Sequence, residues 1–452
     1  MKELHVECAG AGKTYGIAQK IINMIAKCPK GQRIFAITYT NYAVSQIKNE
    51  ILKQTHYIPE ELSIDTVHGF ILDQIVYPYS NFVKGELIQS CSIENLGSNA
   101  KFAAIRKNQL RQAGIIHSDD AIQYASAILV PSSSDNKRTV KLKEIAFKYF
   151  LSNIFCLFID ESQDMNAEFF RLMSFIISKI DNFCFVGDPN QDLLGNYQYL
   201  NFINATKEAY GIEPVQNLVS RRLPQCVVPL CNSILNSDYQ ITSNNSSNGE
   251  IGYVFASELC EAERLFLSKS DTFSIIKCCS GDFSTRPSVS TQLPFELKEI
   301  LKTKFPNHDI DAILFAFAKK VQQVGLDSAL TKYKIRVERN IYAKLSQLFE
   351  PSSRKQIQVC SIQKAKGLED NTVFFIICNS LLNILLGLKN DHNKETNLLY
   401  VALTRTKSRL LFIIEDDVLT RSTLKKHGVD LSKSLNNLGI FEACKTDWFP
   451  AS

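Results

Sequence analysis

"LHVECAGAGKTYGIAQKI" (Leu4–Ile21) decides how the rest of the chain is read. An apolar stretch, a glycine-rich turn and an amphipathic run follow one another without a break. That order predicts a strand, a loop and a helix. Glycines at 10 and 12 let backbone N–H groups approach phosphate oxygens, and the helix N-terminus adds partial positive charge. In such a loop Lys13 reaches the β- and γ-phosphates and Thr14 ligates Mg2+. The signature is shorter than GxxxxGK[ST], because Glu7 stands where its first glycine would be. A glycine turn without a ligand is the reading to weigh against it.

A second segment decides between the two. "LFIDESQD" (Leu157–Asp164) sets two carboxylates at the C-terminal end of an apolar run. A buried strand of this kind points Asp160 and Glu161 into a cleft. Asp160 serves Mg2+, and Glu161 orients and deprotonates an attacking water. A solvated strand end is the usual fate of an acidic pair, but the apolar run before it favours the cleft. Together the two segments read as an ATP-hydrolysing site.

The bulk properties agree. The 452 residues are 45% hydrophobic, enough for more than one core. Lys and Arg number 51 against 46 Asp and Glu, so the net charge of +5 neither requires nor excludes a nucleic-acid groove. No apolar run approaches the roughly 18 residues of a membrane span, and the start lacks the pattern of a signal peptide. The 13 cysteines are scattered, with no CxxC pair, which fits reduced thiols in a cytoplasmic protein. "RIFAITYT", "IFCLFIDES" and "NFCFVGDP" predict buried parallel strands, and "FSIIKCC", "IQVCSI", "TVFFIIC" and "RLLFIIE" predict a second set after residue 250. The stretches 129–137 and 241–252 are turn-rich and predict loops.

Six further segments extend the pattern in order. They are "AITYTNYAVSQIKNEI" (Ala36–Ile51), "DTVHGF" (Asp65–Phe70), "VGDPNQDLLG" (Val186–Gly195), "LVSRRLPQ" (Leu218–Gln225), "SIQKAKGLED" (Ser361–Asp370) and "NLLYVALTRTKSRLLF" (Asn397–Phe412). With the first two they resemble motifs I to VI of the UvrD/Rep/PcrA superfamily 1 helicases. KGLE followed by YVALTR is the most specific part of the likeness.

The resemblance implies an α/β P-loop fold of two RecA-like domains with short helical insertions. Domain 1A covers 1–215 with an insertion near 71–150, and domain 2A covers 216–452 with a reduced insertion near 285–350. It implies a catalytic set of Lys13, Asp160, Glu161, Gln191, Arg222 and Arg405, the arginines completing the site as the cleft closes. Nucleotide contacts fall on Gly10, Ala11, Gly12, Lys13, Thr14, Tyr15, Arg221, Arg222, Gly367, Glu369 and Arg405, with Glu369 on the ribose. Thr14 and Asp160 are the Mg2+ residues. DNA contacts fall on Thr38, Tyr39, Thr40, Asn41, Thr66, His68 and Tyr197. The implied cofactors are ATP and Mg2+, the implied partner is single-stranded DNA or a single/double-strand junction, and the implied polarity is 3′→5′.

The sequence also departs from the family. The glutamine motif that reads adenine lies upstream of the phosphate loop, and Met1 leaves no room for it, so weak base selection is expected. Arg221 replaces a base-stacking tyrosine. The tryptophan expected in motif III is absent, leaving Tyr197 or Tyr199 to stack on a base. Gln363 replaces a histidine. Compact UvrD-like proteins accompany OLD-family nucleases in anti-phage systems such as Gabija. The resemblance therefore carries an alternative: a DNA-end-sensing ATPase subunit beside a nuclease partner.

Overall fold

The computed structural model describes residues 1–97, 99–269, 271–279, 282–285, 293–306, 310–349, 357–389 and 394–450. Two compact units emerge. One comprises Met1–Val67, Leu151–Arg286 and Gln356–Ser452, and the other His68–Phe150 and Pro287–Lys355.

Among the described residues the first unit holds two large parallel sheets, as the two sets of apolar runs predict. In the first sheet the strands are β1 (Lys2–Glu7), β2 (Arg33–Thr38), β3 (Leu62–Thr66), β4 (Ile154–Ile159), β5 (Phe183–Gly187) and β6 (Val215–Asn217). Their order is β3-β2-β4-β5-β1-β6. Every neighbouring pair is parallel. Continuous apolar strands suit this arrangement because both faces are covered. On one face α1 (Lys13–Ile25) and α2 (Asn41–Thr55) bury Ile17, Ile21, Ile47 and Ile51 against Ile34, Phe158 and Val186. On the other, α3 (Ala167–Ile177) and α4 (Gln198–Tyr210) supply an aromatic layer. There Phe202 lies 4.7 Å from Phe170 and 4.6 Å from Phe185, ring centroid to centroid.

The second sheet runs through β7 (Glu250–Phe255), β8 (Phe273–Ile276), β9 (Phe283–Thr285), β10 (Ile357–Ser361), β11 (Asp370–Ile377), β12 (Thr406–Ile414) and β13 (Phe441–Glu442). Its order is β9-β10-β8-β11-β12-β7-β13. Alternate residues face two separate cores: Ile275, Val373, Phe375 and Phe412 enter one, Ile276, Phe374, Ile376 and Ile413 the other. Strand β7 corrects only the end of the loop expected across 241–252, since it begins at Glu250. Its first residues continue an Asn- and Gly-rich run, yet Ile251, Tyr253 and Val254 are buried beside β12.

The second unit is mainly helical. Its helices include Ala100–Gln112, Ser118–Leu129, Lys137–Ser152, Phe295–Lys304, Ile310–Val324 and Arg339–Phe349. Leu297, Leu301, Phe317, Ile341 and Leu345 belong to one of its apolar clusters. Arg106 ties the two sequence segments together, pairing with Glu94 and with Glu296. Among the described residues no helix is long and apolar enough to cross a membrane.

Candidate nucleotide and strand site

The phosphate loop joins β1 to α1 through two left-handed glycines, Gly10 (φ 76°) and Gly12 (φ 96°). Such angles disfavour any side chain. Gly10 has a second constraint: a Cβ there would stand 2.6 Å from both Arg222 Cβ and Ser220 Oγ. Its carbonyl accepts from the Arg221 N–H at 2.9 Å. Lys13 Nζ donates to the carbonyls of Glu7 (3.3 Å) and Cys8 (3.2 Å), which holds the ammonium at the loop.

The acidic pair follows β4. Asp160 is 3% exposed, and its Oδ1 accepts from the Glu161 N–H at 2.9 Å. Burial raises the Asp160 pKa, and the adjacent Glu161 charge raises it further. Glu161 behaves oppositely. Burial pushes its pKa up, but Lys13, Lys366, the Gln163 amide and Arg405 outweigh this and lower it. Environment therefore pushes two neighbouring carboxylates apart, Asp160 upward and Glu161 downward. Glu161 takes φ 52°, left-handed backbone that is strained for a glutamate.

Arg405 is 1% exposed and fixed by three hydrogen bonds. Nε donates to Val401 O (2.8 Å), Nη1 to Leu368 O (3.0 Å) and Nη2 to Thr404 Oγ1 (2.9 Å). Burial, with Arg222 nearby, lowers its pKa to about 10, so it stays cationic. Arg222 pairs with Glu369, which Lys407 also reaches at 2.6 Å.

A cavity of about 730 Å³ gathers most of the predicted nucleotide residues. Gly10, Gly12, Lys13, Thr14, Tyr15, Glu161, Gln191, Arg221, Arg222, Gly367, Glu369 and Arg405 all line it. Ala11 and Asp160 do not; each is 3% exposed. Behind the wall runs a buried network. Asp188 Oδ2 accepts from Gln191 Nε2 at 2.8 Å and from the Tyr400 hydroxyl at 3.2 Å. The Ala9 N–H donates to that same hydroxyl at 3.3 Å. Lys366 Nζ pairs with Asp164 and donates to Gln191 O at 2.9 Å. Tyr400 lies on α5 (Lys394–Leu403), so a helix beside the second sheet bonds both the phosphate loop and the segment after β5.

The strand-binding candidates fare unevenly. Tyr39 is 49% exposed and Asn41 is also exposed. Thr40 caps α2, its side chain accepting from the Ala43 N–H at 3.1 Å. Thr38 is fully buried, which corrects its assignment to an open DNA contact. Thr66 ends β3 in the first unit, whereas His68 belongs to the second. Burial lowers the His68 pKa, so it presents a neutral ring near pH 7. Tyr197 is 38% exposed at φ 52°. Tyr199 cannot stack on a base. It is 2% exposed, and its hydroxyl donates to His5 O at 2.7 Å.

Sequence reasoning did not single out Tyr42, Gln46, Asn49 or Lys53, which line the cavity from α2. Their only signal is a polar stripe at helical spacing, which reads as a solvated face. Tyr400 and Asp188 lay inside quoted motifs, but their pairing needs the fold.

A phosphate loop, an acidic strand end and arginines meeting in one cleft between parallel sheets define a two-domain RecA-like P-loop fold. Comparison with known proteins adds the family. Residues 6–195 match the model described as AAA domain, and residues 333–417 match the UvrD-like helicase C-terminal domain. The chain is 22% identical over 230 residues to the ATP-dependent DNA helicase Rep of Buchnera aphidicola from Acyrthosiphon pisum, covering 49% of this chain and 35% of that protein. Rep of Buchnera aphidicola from Baizongia pistaciae is 25% identical over 229 residues, covering 41% and 33%. The matched region thus spans about a third of the length of these curated relatives. A solved arterivirus nonstructural protein 10 (helicase) with DNA aligns over 94% of this chain and 63% of its own, at 9% identity and a TM-score of 0.38. Both domain models and the Rep relatives support a UvrD/Rep-like superfamily 1 helicase.

Proposed function

We propose that the chain is an ATP-driven motor on single-stranded DNA, a translocase or helicase of UvrD type. It hydrolyses ATP with Mg2+ and moves 3′→5′. One observation carries the reading: Lys13, Thr14, Glu161 and Gln191 share one cavity with Arg222, Glu369 and Arg405. A phosphate cradle, an ionised carboxylate and two guanidinium groups are the parts that phosphoryl transfer to water requires.

Lys13 exchanges its two carbonyl partners for oxygens of the β- and γ-phosphates. Glu161, held ionised, takes the proton of the attacking water. Arg222 and Arg405 oppose the charge that develops on the γ-phosphate. Thr14 and Asp160 offer hard oxygen donors that fit Mg2+. Mg2+, when bound, supplies charge neutralisation on the phosphates. Gln191 donates to Asp188, which also accepts from Tyr400, so the γ-phosphate end is tied to the helix that carries Tyr400. Tyr39, Asn41 and Tyr197 are the open groups for a base and backbone. The setting of such a motor is cytoplasmic.

The second reading, an end-sensing ATPase subunit beside a nuclease in anti-phage defence, has one observation in its favour. Burial of Tyr199 leaves Tyr197 alone to replace the motif III tryptophan, which limits strand stacking. ATPase and forked-duplex assays with and without single-stranded DNA test both readings. DNA-stimulated turnover with unwinding supports the motor, and stimulation without unwinding supports the sensor. Turnover indifferent to DNA overturns both.

A further inference from the structure

The phosphate loop fixes one end of the cavity. The rest of its wall must meet the nucleoside, and α2 supplies much of it. Tyr42, Gln46, Asn49 and Lys53 line the cavity at spacings of four, three and four, one helical face. Tyr15 and Tyr42 are the only aromatic residues among those lining it. Both rings are about half exposed, 52% and 49%. A Cβ on Gly367 would stand 3.7 Å from Tyr42 Cδ1 and Cε1, so the ring sits beside the second-sheet segment that carries Glu369.

The polar groups on this face divide in two. Lys53 Nζ donates to Glu50 at 3.0 Å, and Ser45 Oγ donates to Asn41 O at 3.0 Å. The side-chain amides of Gln46 and Asn49 line the cavity with no protein partner among the described residues. A carboxamide offers a donor and an acceptor side by side. Adenine presents the matching acceptor and amino donor on one edge, whereas guanine presents two acceptors there.

We propose that Tyr42, Gln46 and Asn49 form a purine subsite that selects adenine nucleotides, Tyr42 stacking on the base and the amides reading its edge. This rests on the nucleotide reading of the cavity and replaces the expected weak base selection. The full chain therefore binds ATP more tightly than GTP.

The test measures dissociation constants for Mg2+–ATP, Mg2+–GTP and inorganic tripolyphosphate by calorimetry. In Gln46→Ala/Asn49→Ala, ATP binding weakens roughly tenfold and the ATP-to-GTP preference collapses, as expected for a lost bidentate base contact. Tripolyphosphate binding stays within about twofold, because phosphate contacts lie elsewhere. Tyr42→Phe keeps affinity and Tyr42→Ala loses it. Unchanged ATP affinity and unchanged preference in the double variant overturn the subsite. In that case loss of both ATP and tripolyphosphate binding in Lys13→Ala leaves the nucleotide reading standing. ATP binding that survives Lys13→Ala undiminished overturns both.

Discussion

The hydroxyl of Tyr400 stands 3.2 Å from Oδ2 of Asp188, and both residues are buried. The two come from different halves of the first unit, α5 beside the second sheet and the loop after β5. The same hydroxyl accepts the Ala9 N–H, so three motifs meet on one oxygen.

Removing that oxygen is the first prediction. Tyr400→Phe keeps the ring but leaves a buried carboxylate and a buried N–H each short of a partner. Such deletions cost about 1–3 kcal/mol. Thermal unfolding should shift down, and ATP kcat should fall more than KM rises. Unaltered kcat and melting temperature would show that the bond couples nothing.

Glu161→Gln tests the base. The amide cannot take a proton, so turnover should drop by about 10²–10⁴-fold. Nucleotide affinity by equilibrium titration should persist. Normal turnover in this variant would sink the assignment.

The two loop glycines should respond differently. Alanine at either position inherits a left-handed backbone, worth roughly 1–2 kcal/mol of strain. At Gly12 the nearest atom to a new Cβ is the end of Arg221, at 3.9 Å, whereas at Gly10 it is Arg222 Cβ at 2.6 Å. Gly10→Ala should therefore displace Arg222 and lose more ATPase activity than Gly12→Ala. Equal losses would show that backbone strain alone matters.

His68 gives a pH prediction. Burial lowers its folded pKa below the ordinary 6.5. The unfolded chain therefore takes up a proton first as pH falls, and stability present above that value is lost through the folded one. The difference in melting temperature between the protein and His68→Gln should narrow as pH falls below about 6.5. A constant difference would contradict the burial effect.

The phosphate loop and the acidic strand end were legible because each couples a strand pattern to a chemical residue at a fixed offset. Arg405, inside "YVALTRTK", was legible only through the family resemblance. Strand β7 was not legible, since Gly249 and Gly252 look like turn residues. In the structure a Cβ on Gly252 would lie 2.8 Å from Ala443 Cβ, so close strand packing, not a turn, calls for that glycine. Tyr197 and Tyr199 sit two residues apart in one polar-aromatic run, and only the fold sends the second into the core. The amides of Gln46 and Asn49 resemble any wet helix face until a cavity lies against them. The bond from Arg106 to Glu296 joins residues far apart in the chain, which no local pattern encodes.

The place of β1 between β5 and β6 has a further consequence, for the birth of the molecule. The strand that carries the phosphate loop has no lateral partner until Phe183–Gly187 and Val215–Asn217 exist. Likewise β7 waits for Thr406–Ile414 and Phe441–Glu442. Neither sheet can close early on the ribosome, because loop closure precedes the reward of distant pairing. The emerging chain carries unpaired apolar strands for much of its synthesis, the condition under which chaperones matter most.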